Sequence, residues 1–135
     1  DKAAGADDIF RTPPGLAGLE LLVPLMLTAA HHGWITLERV AALCAEHAAS
    51  IFGLAQKGRL APGADADLTI VDLDAAWTYD AAHAITKAGA NMRIYEGLPL
   101  HGRVAVTVVR GAVVFRDGAV TGAPGHGRFV RPASR

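Results

Sequence analysis

The hydrophobic periodicity of this chain changes at Gly58, and this change limits the fold more than any other sequence feature. Before Gly58 the apolar residues recur with the 3.6-residue spacing of α-helices, whereas after it they alternate with the two-residue spacing of β-strands. The predicted order is therefore an irregular loop, helices and then a strand meander. Taken alone, such a chain has few strands and a helix too apolar to face water, so it is predicted to need neighbours.

The predicted helices are marked by their end signals. The first 15 residues, DKAAGADDIFRTPPG, predict an irregular loop. The stretch GLELLVPLMLTAAHHGW, from Gly18, is apolar almost all round, which is typical of a helix buried on most sides. We expect Pro24 near its start or at a kink, and Gly33 at its end. Thr36 is expected to cap an amphipathic helix that runs to about Glu46, followed by a short second turn through Ile51 and Phe52.

The strand segment is predicted from alternation and from turn residues. DLTIVDL and AWTY are predicted to be two separate strands. GRVAVTVVRGAVVFRDGAVTG predicts two or three strands joined by turns at Arg110-Gly111 and Asp117-Gly118. Both faces of these strands are fairly apolar, so we expect the small sheet to be covered on both sides.

The last segment, GAPGHGRFVRPASR, begins at Gly122 and is rich in glycine and proline. This composition predicts an extended arm rather than a further strand or helix. Phe129 and Val130 are its apolar side chains, so we expect them to anchor the arm.

Composition excludes several classes of protein. The chain has 135 residues, of which 51% are apolar and 19% charged, as in a folded domain. Thirteen basic residues balance thirteen acidic ones, which predicts no nucleic-acid partner and no membrane surface. The longest apolar run is interrupted by Glu20 and Pro24 and falls short of the roughly 20 residues of a membrane span. The single cysteine, Cys44, is interpreted as a small buried side chain, which favours a cytoplasmic location.

Two aspartates one residue apart, Asp65 and Asp67, have a spacing that metal sites often use. They follow a Pro-Gly turn in APGADADL, where aspartates commonly accept hydrogen bonds from nearby backbone N–H groups. A metal would need a third ligand, and Asp72 and Asp74 lie at the far end of the predicted strand. We therefore interpret the pair as turn residues.

The histidines do not form a recognisable metal motif, because the sequence contains neither His-x-His nor His-Glu-x-x-His. His31 and His32 are adjacent at a predicted helix end, where they point about 100° apart and suit the C-terminal dipole better than a shared ion. Nucleophile-elbow, phosphate-loop and dinucleotide motifs are also missing. We predict no catalytic residue and no metal ligand within this chain. The six histidines are at positions 31, 32, 47, 83, 101 and 126.

Three stretches carry a resemblance to a known family. KGRLAPGADADLTIVDLDAAWTY, followed by YEGLPLHGRVAVTVVRGAVVFRDG, resembles the C-terminal signature of the cyclic amidohydrolases, which include dihydroorotases, allantoinases, hydantoinases and dihydropyrimidinases. Upstream, TPPGLAGLELLVPLML looks like the dihydroorotase stretch in which a Pro-Gly loop precedes a helix. The resemblance covers nearly the whole chain and is less specific for the substrate than for the family.

The resemblance implies an α/β fold: the C-terminal part of a metal-dependent (β/α)8 barrel, with its last loop and helices, plus the C-terminal strands of a small β-sandwich. In that division residues 1–56 end the barrel, 57–121 belong to the sandwich and 122–135 form the arm. Asp1 and Lys2 resemble the residues just beyond the segment that supplies the family's catalytic aspartate.

The function implied by the resemblance is the metal-dependent hydrolysis of a cyclic amide, with zinc as the metal of the full-length parent. Dihydroorotase is the first expectation, and an allantoinase or a hydantoinase/dihydropyrimidinase is the alternative. Since the family's metal ligands and catalytic aspartate are missing, this chain alone is expected to be inert. A non-catalytic structural or assembly module derived from an amidohydrolase is the alternative from another class.

The implied partners and site residues follow from the same family. The partners are the remainder of the barrel and a small cyclic amide. The parent is expected to be a homo-oligomer, and the sequence does not give the number of subunits. Pro14 and Gly15 match the loop whose backbone C=O and N–H meet the amide edge of the ring, with Pro13 stiffening the approach. Arg11 is a weaker candidate for meeting a substrate carboxylate.

Overall fold

The chain folds as helices followed by one antiparallel sheet, and the order of elements predicted from the sequence is confirmed. The computed structural model describes residues 5–12, 15–87 and 89–133. The sheet is a meander with strand order β1-β2-β3-β4 and antiparallel neighbours throughout. Its strands are β1 Leu68–Thr78, β2 Pro99–Val109, β3 Ala112–Arg116 and β4 Ala119–Val120.

The first α-helix, α1, spans Leu22–His31 and follows a 3₁₀ turn at Leu19–Leu21. Pro24 lies in its first turn, where a missing N–H group removes no intrahelical hydrogen bond. Gly33 ends the helix with φ of 72°, and its N–H donates to the carbonyl of Ala30 at 2.9 Å. The predicted limits of this helix are confirmed.

The second helical segment ends where the sequence predicted. Thr36 caps it, because its hydroxyl oxygen accepts the N–H of Arg39 at 3.2 Å, as expected. No break separates the helix predicted to about Glu46 from the turn predicted through Ile51 and Phe52, since the intervening residues, HAAS, contain no glycine or proline that would stop the helix. The segment consists of α2 Leu37–Ala41, a π-helical turn Ala42–Glu46 and α3 His47–Ile51.

The strand β1 replaces the two strands that the sequence predicted. Its pairing with β2 is continuous except for irregularities, the larger of which lies between Asp72 and Ala76. There the Asp72 carboxylate accepts the N–H of Asp74 at 3.0 Å, which turns the chain locally without ending the strand. Such a bulge resembles a strand break in the sequence, because it interrupts the alternation of side chains.

The two hairpin turns lie where they were predicted. Arg110 and Gly111 have φ of 48° and 77°, and Asp117 and Gly118 have φ of 47° and 86°. Two successive positive φ values are the mark of a type I′ turn, whose twist matches that of the flanking strands.

The core is small, and one contact fixes the position of α1 on the sheet. Leu21, Met92 and Leu100 are almost completely buried, together with Tyr79. Gly102 of β2 has φ of 76°, and a Cβ added there would lie 2.8 Å from the Cβ of Leu27. Only glycine therefore allows α1 to approach β2 this closely.

Much of the remaining apolar surface is exposed. Leu22 and Leu25 on α1 are 46% and 37% exposed, and Ile70 on β1 is 50% exposed. The expectations that α1 is buried on most sides and that the sheet is covered on both sides are therefore wrong for the described part of the chain. The side chains have the predicted polarity, but the described residues do not cover them.

The arm beyond the sheet is held by other residues than predicted. The His126 ring bonds the last carbonyl of β2 at 3.0 Å, and the Ala133 N–H donates to the carbonyl of Gly53 at 2.9 Å. Phe129 is 84% exposed and Val130 is 37% exposed, so the proposed apolar anchors are wrong. Backbone carbonyls fix the arm instead.

Candidate functional site

Asp65 and Asp67 lie where the chain turns into β1, and both carboxylates contact the ammonium group of Lys57. The distance from Lys57 Nζ to Asp65 is 2.9 Å. The second oxygen of Asp67 accepts the N–H of Arg110 at 2.7 Å. The Asp65 N–H donates to the carbonyl of Gln56 at 2.9 Å. Lys57 and the Gln56 carbonyl thus hold the start of β1 against the residues that follow the helices, and the Arg110 N–H ties it to the turn between β2 and β3.

The charges in this turn stabilise one another. Hydrogen bonds to Asp67 and then to Asp65 raise the pKa of the Lys57 ammonium group above its ordinary value. Desolvation disfavours the charged form of Asp67, but the Lys57 ammonium and the Arg110 N–H outweigh it and lower the pKa of this carboxyl. Lys57 and Asp67 therefore stay charged through the neutral range.

These contacts confirm that the aspartate pair is a turn element, as the sequence analysis concluded. The oxygens that a metal would need are bonded to Lys57 and to the backbone. The role of Lys57 was not predicted. A lysine shortly before a turn that contains two acids was the available signal, since oppositely charged side chains on either side of a turn can meet.

Three histidines meet at the end of α1, although one of them, His101, is far from the other two in sequence. The rings of His31 and His101 are parallel, with centroids 3.7 Å apart and planes 6° apart. The His32 ring lies edge-on to both, at 5.5 Å from His31 and 6.0 Å from His101. Trp34 stacks on His32 at 5.2 Å. We refer to His31, His32 and His101 as the histidine cluster.

The sequence analysis placed His31 and His32 correctly at a helix end but missed their partner. His101 lies in β2, and only the packing of α1 on the sheet brings it to the cluster. Of the other histidines, His83 contacts Asp80 through Nδ1 at 2.7 Å.

The described residues do not form a metal centre. Within residues 5–12, 15–87 and 89–133, no three or more His, Cys, Asp or Glu side chains are arranged to hold a metal ion. In the histidine cluster the rings contact face to face or edge to face, which is a stacking arrangement. Cys44 is partly buried, and desolvation raises the pKa of its thiol, which disfavours the reactive thiolate.

The predicted substrate loop is described only in part. Gly15 is exposed and has φ of 69°, with no atom within 4 Å of the position that a Cβ would take. Pro14 and the neighbouring Pro13 lie outside the described residues. Arg11 ends a 3₁₀ turn, Ile9–Arg11, and is exposed. The structure therefore shows Gly15 in a conformation that favours glycine, with open space beside it.

A carboxylate near this loop was not predicted. Glu20 accepts the N–H of Ile85 at 3.1 Å and that of Thr86 at 3.2 Å. These bonds connect the turn before α1 to a segment 65 residues further along the chain. The sequence analysis used Glu20 only as an interruption of the apolar run and as part of a family motif, because nothing in the local sequence indicates so distant a partner.

None of the helices in the described part of the chain is both long enough and apolar enough to cross a membrane.

Comparison with known proteins gives consistent relatives. A dihydroorotase from Pyrococcus furiosus is 40% identical over 97% of this chain, which covers 29% of that protein. An allantoinase from Rubrobacter xylanophilus is 37% identical over 98% of this chain and 28% of its own length. The solved structure of the L-hydantoinase (dihydropyrimidinase) from Arthrobacter aurescens superposes with a TM-score of 0.86 and 38% identity, over 97% of this chain and 29% of that one.

These comparisons confirm the resemblance to cyclic amidohydrolases. The chain spans less than a third of the length of these relatives. The model of the amidohydrolase family matches residues 29–115, which is more than half of the chain and includes the end of α1, the second helical segment, β1, β2 and most of β3. This chain belongs to the amidohydrolase family.

Proposed function

We propose that this chain is the C-terminal portion of a metal-dependent hydrolase that opens a cyclic amide ring, with a dihydroorotase as the parent. The observation that carries the proposal is the similarity, over nearly all of this chain, to proteins named dihydroorotase, allantoinase and L-hydantoinase. In this proposal residues 1–56 end a (β/α)8 barrel, residues 57–121 belong to a β-sandwich and residues 122–135 form an arm.

The exposed apolar side chains support the proposal that another part of the parent protein packs against this chain. Leu19 is 86% exposed, and Leu22 and Leu25 are also open to solvent along the same helical segment. Exposed apolar patches of this kind mark contact surfaces. We assign this surface to the remainder of the barrel, which would cover it in the parent.

The metal of the proposed parent would be held outside the described part of this chain. The resemblance implies zinc, but Asp65 and Asp67 are bonded to Lys57, and the histidine cluster is stacked. These residues do not fit a metal centre, so the chain by itself is proposed to be inert.

The contribution of this chain to the reaction is proposed to be substrate binding. Ring opening adds water to the ring carbonyl carbon and breaks the C–N bond, so that the carbonyl becomes a carboxylate, the ring N–H becomes an NH2 group and one proton is released. The backbone at Pro14 and Gly15 would pair with the C=O and N–H of the ring. Gly15 has the positive φ and the open space that such a backbone contact needs. Glu20 would hold the turn that follows through its bonds to the Ile85 and Thr86 N–H groups.

We further propose that the parent acts in the cytoplasm as a homo-oligomer. The single cysteine supports a reducing compartment, and the balanced charge supports a small-molecule substrate rather than a polyanion.

The decisive experiment is a chimera. Residues 1–135 replace the matching segment of the Arthrobacter aurescens L-hydantoinase, which this chain covers at 38% identity. The expected result is hydrolysis of a cyclic amide by the zinc-loaded chimera and none by the 135-residue chain. A panel of dihydroorotate, allantoin and hydantoins then separates the dihydroorotase parent from its alternatives. A folded but inactive chimera would favour the non-catalytic module, and hydrolysis by the chain alone would contradict the proposed inertness.

The loop assignment has its own control. Gly15→Ala in the chimera is expected to raise KM several-fold, because alanine disfavours the positive φ that presents the backbone. Gly125→Ala introduces the same strain in the arm, where φ is 84° and a Cβ would also meet open space. Equal effects of the two substitutions on KM would remove Gly15 from the substrate site.

A further inference from the structure

The contact between α1 and β2 converges on one residue, His101. Its N–H donates to the hydroxyl oxygen of Thr28 at 2.9 Å, and this hydroxyl in turn donates to the carbonyl of Pro24 at 2.8 Å. The Leu27 side chain packs closely against the next residue of β2, Gly102. The His101 ring stacks on that of His31. The backbone, packing and ring contacts between α1 and β2 thus all involve His101 or its neighbour Gly102. We refer to this contact between α1 and β2 as the seam.

The ionisable groups around His101 carry the same sign when they are protonated. α1 presents His31 and His32, which are the side chains that act electrostatically on His101 among the described residues. β1 places Ala76 opposite His101, and its Asp72 is in register with Arg103. No described carboxylate forms an ion pair with the histidine cluster.

We propose that the histidine cluster is a proton-sensitive latch, which fastens the end of α1 to β2 when its imidazoles are neutral and loosens this seam when more than one of them is protonated.

The order of protonation explains why more than one proton is needed. His31 is the last residue of α1, and carbonyl groups at a helix end stabilise a nearby positive charge. A single proton places one positive charge in the cluster, with no like charge beside it. A second proton places two like charges on rings whose centroids are 3.7 Å or about 6 Å apart. Separation of the stacked rings relieves this repulsion.

The direction of the pH effect follows from His101. Desolvation, and then repulsion from His31 and His32, lower the pKa of His101 below its ordinary value. The unfolded chain thus binds this proton more readily than the folded chain does. The latch contributes fully above the ordinary histidine pKa of about 6.5, and its contribution is lost as the pH falls through the lower pKa of the folded state.

The test is hydrogen exchange of the 135-residue chain at two pH values. The protection factor of the His101 N–H, corrected for intrinsic exchange, is expected to fall roughly fivefold from about pH 7.5 to about pH 5, as expected for two like charges about 4 Å apart in water. His101→Phe keeps a stacking ring but cannot be protonated, and it should remove most of this fall. His47→Phe, on α3 outside the cluster, is the matched control and should keep the fall.

Two results would overturn the proposal. One is a protection factor that does not change with pH in the wild type, and the other is an equal fall in wild type and His101→Phe. A second measurement needs no variant of His101. NMR titration of the His101 ring should give a pKa below that of a free histidine, and His31→Phe should move it upward by removing a like charge. A His101 pKa that His31→Phe leaves unchanged would exclude coupling between the stacked rings.

Discussion

Two clusters of ionisable side chains organise this chain, and they differ in the signs of their charges. At the start of β1, Lys57 lies between Asp65 and Asp67, so each charge has an opposite partner. At the end of α1, the rings of His31 and His101 stack on each other, and none of the described carboxylates forms an ion pair with them. The first cluster fixes a turn over the whole neutral range, whereas the second responds to protons.

The difference shows that spacing in the sequence is a poor guide to chemistry. Asp65 and Asp67 have the spacing of metal ligands, yet they bond a lysine and the backbone. His31 and His101 have no sequence relation at all, yet their rings are in contact. The surroundings of an ionisable side chain in the folded chain decide its role, because burial, nearby charges and hydrogen bonds set its pKa. Its position in the sequence does not.

The largest expected effect concerns the seam beside the histidine cluster. Gly102→Ala places a Cβ 2.8 Å from Leu27 at a φ of 76°, and it should lower the free energy of unfolding by about 3 kcal/mol through overpacking and backbone strain. Gly111→Ala has the same strain, with φ of 77°, but its Cβ meets no atom within 4 Å. It should cost about 1 kcal/mol. Urea denaturation measures both, and equal losses would mean that α1 does not pack closely on β2.

The next effect tests the turn cluster. Asp67→Asn removes the negative charge that both Lys57 and the Arg110 N–H use, and it should lower the free energy of unfolding by about 2 kcal/mol. Asp65→Asn should cost less than about 1 kcal/mol, because Asp65 makes a single, more exposed ion pair. Urea denaturation of both variants at neutral pH provides the comparison. A larger loss at Asp65 would reverse the assigned roles.

A smaller effect separates the two clusters by pH. Because the pKa of Asp67 is lowered in the folded chain, its stabilisation is present above the ordinary carboxyl pKa and is lost as the pH falls through the lower, folded value. We expect a loss of about 1 kcal/mol below about pH 4 in the wild type. This loss should be missing in Asp67→Asn, while the change caused by protonation of the histidine cluster remains. Unfolding curves at closely spaced pH values would show whether the two transitions are separate.

The smallest effect lies outside both clusters, in the arm. Phe129→Ser should change the free energy of unfolding by less than about 0.5 kcal/mol, because the ring is 84% exposed. Thermal unfolding of this variant beside the wild type gives the value. A loss near 2 kcal/mol would restore Phe129 as an anchor of the arm.

Local features of the fold were predictable from the sequence. Thr36 caps its helix, Gly33 ends α1, and both Gly-containing hairpin turns occur at the predicted residues. Each depends on the conformational preference of one or two residues and on neighbours within a few positions. The role of the aspartate pair was also predictable, since the Pro-Gly turn beside it is a local signal.

Errors arose where a partner distant in sequence decides the outcome. Pairing with β2 carries β1 across the bulge at Asp72, where the sequence predicted a break. The arm binds backbone carbonyls rather than burying Phe129. In the candidate site, Gly15 was found through a family motif, whereas nothing local indicated the bonds of Glu20.

The sequence by itself determined the order of helices and strands, the turns and the family, because periodicity, turn residues and motifs are properties of neighbouring residues. Only the tertiary structure decided which charges meet. Lys57 meets both aspartates because the chain folds back at the turn before β1. His101 meets His31 because the packing of α1 on β2 beside Gly102 brings together residues about 70 positions apart. Contacts of this kind depend on the whole fold, since the sequence around either residue does not determine how far apart the two side chains lie in space.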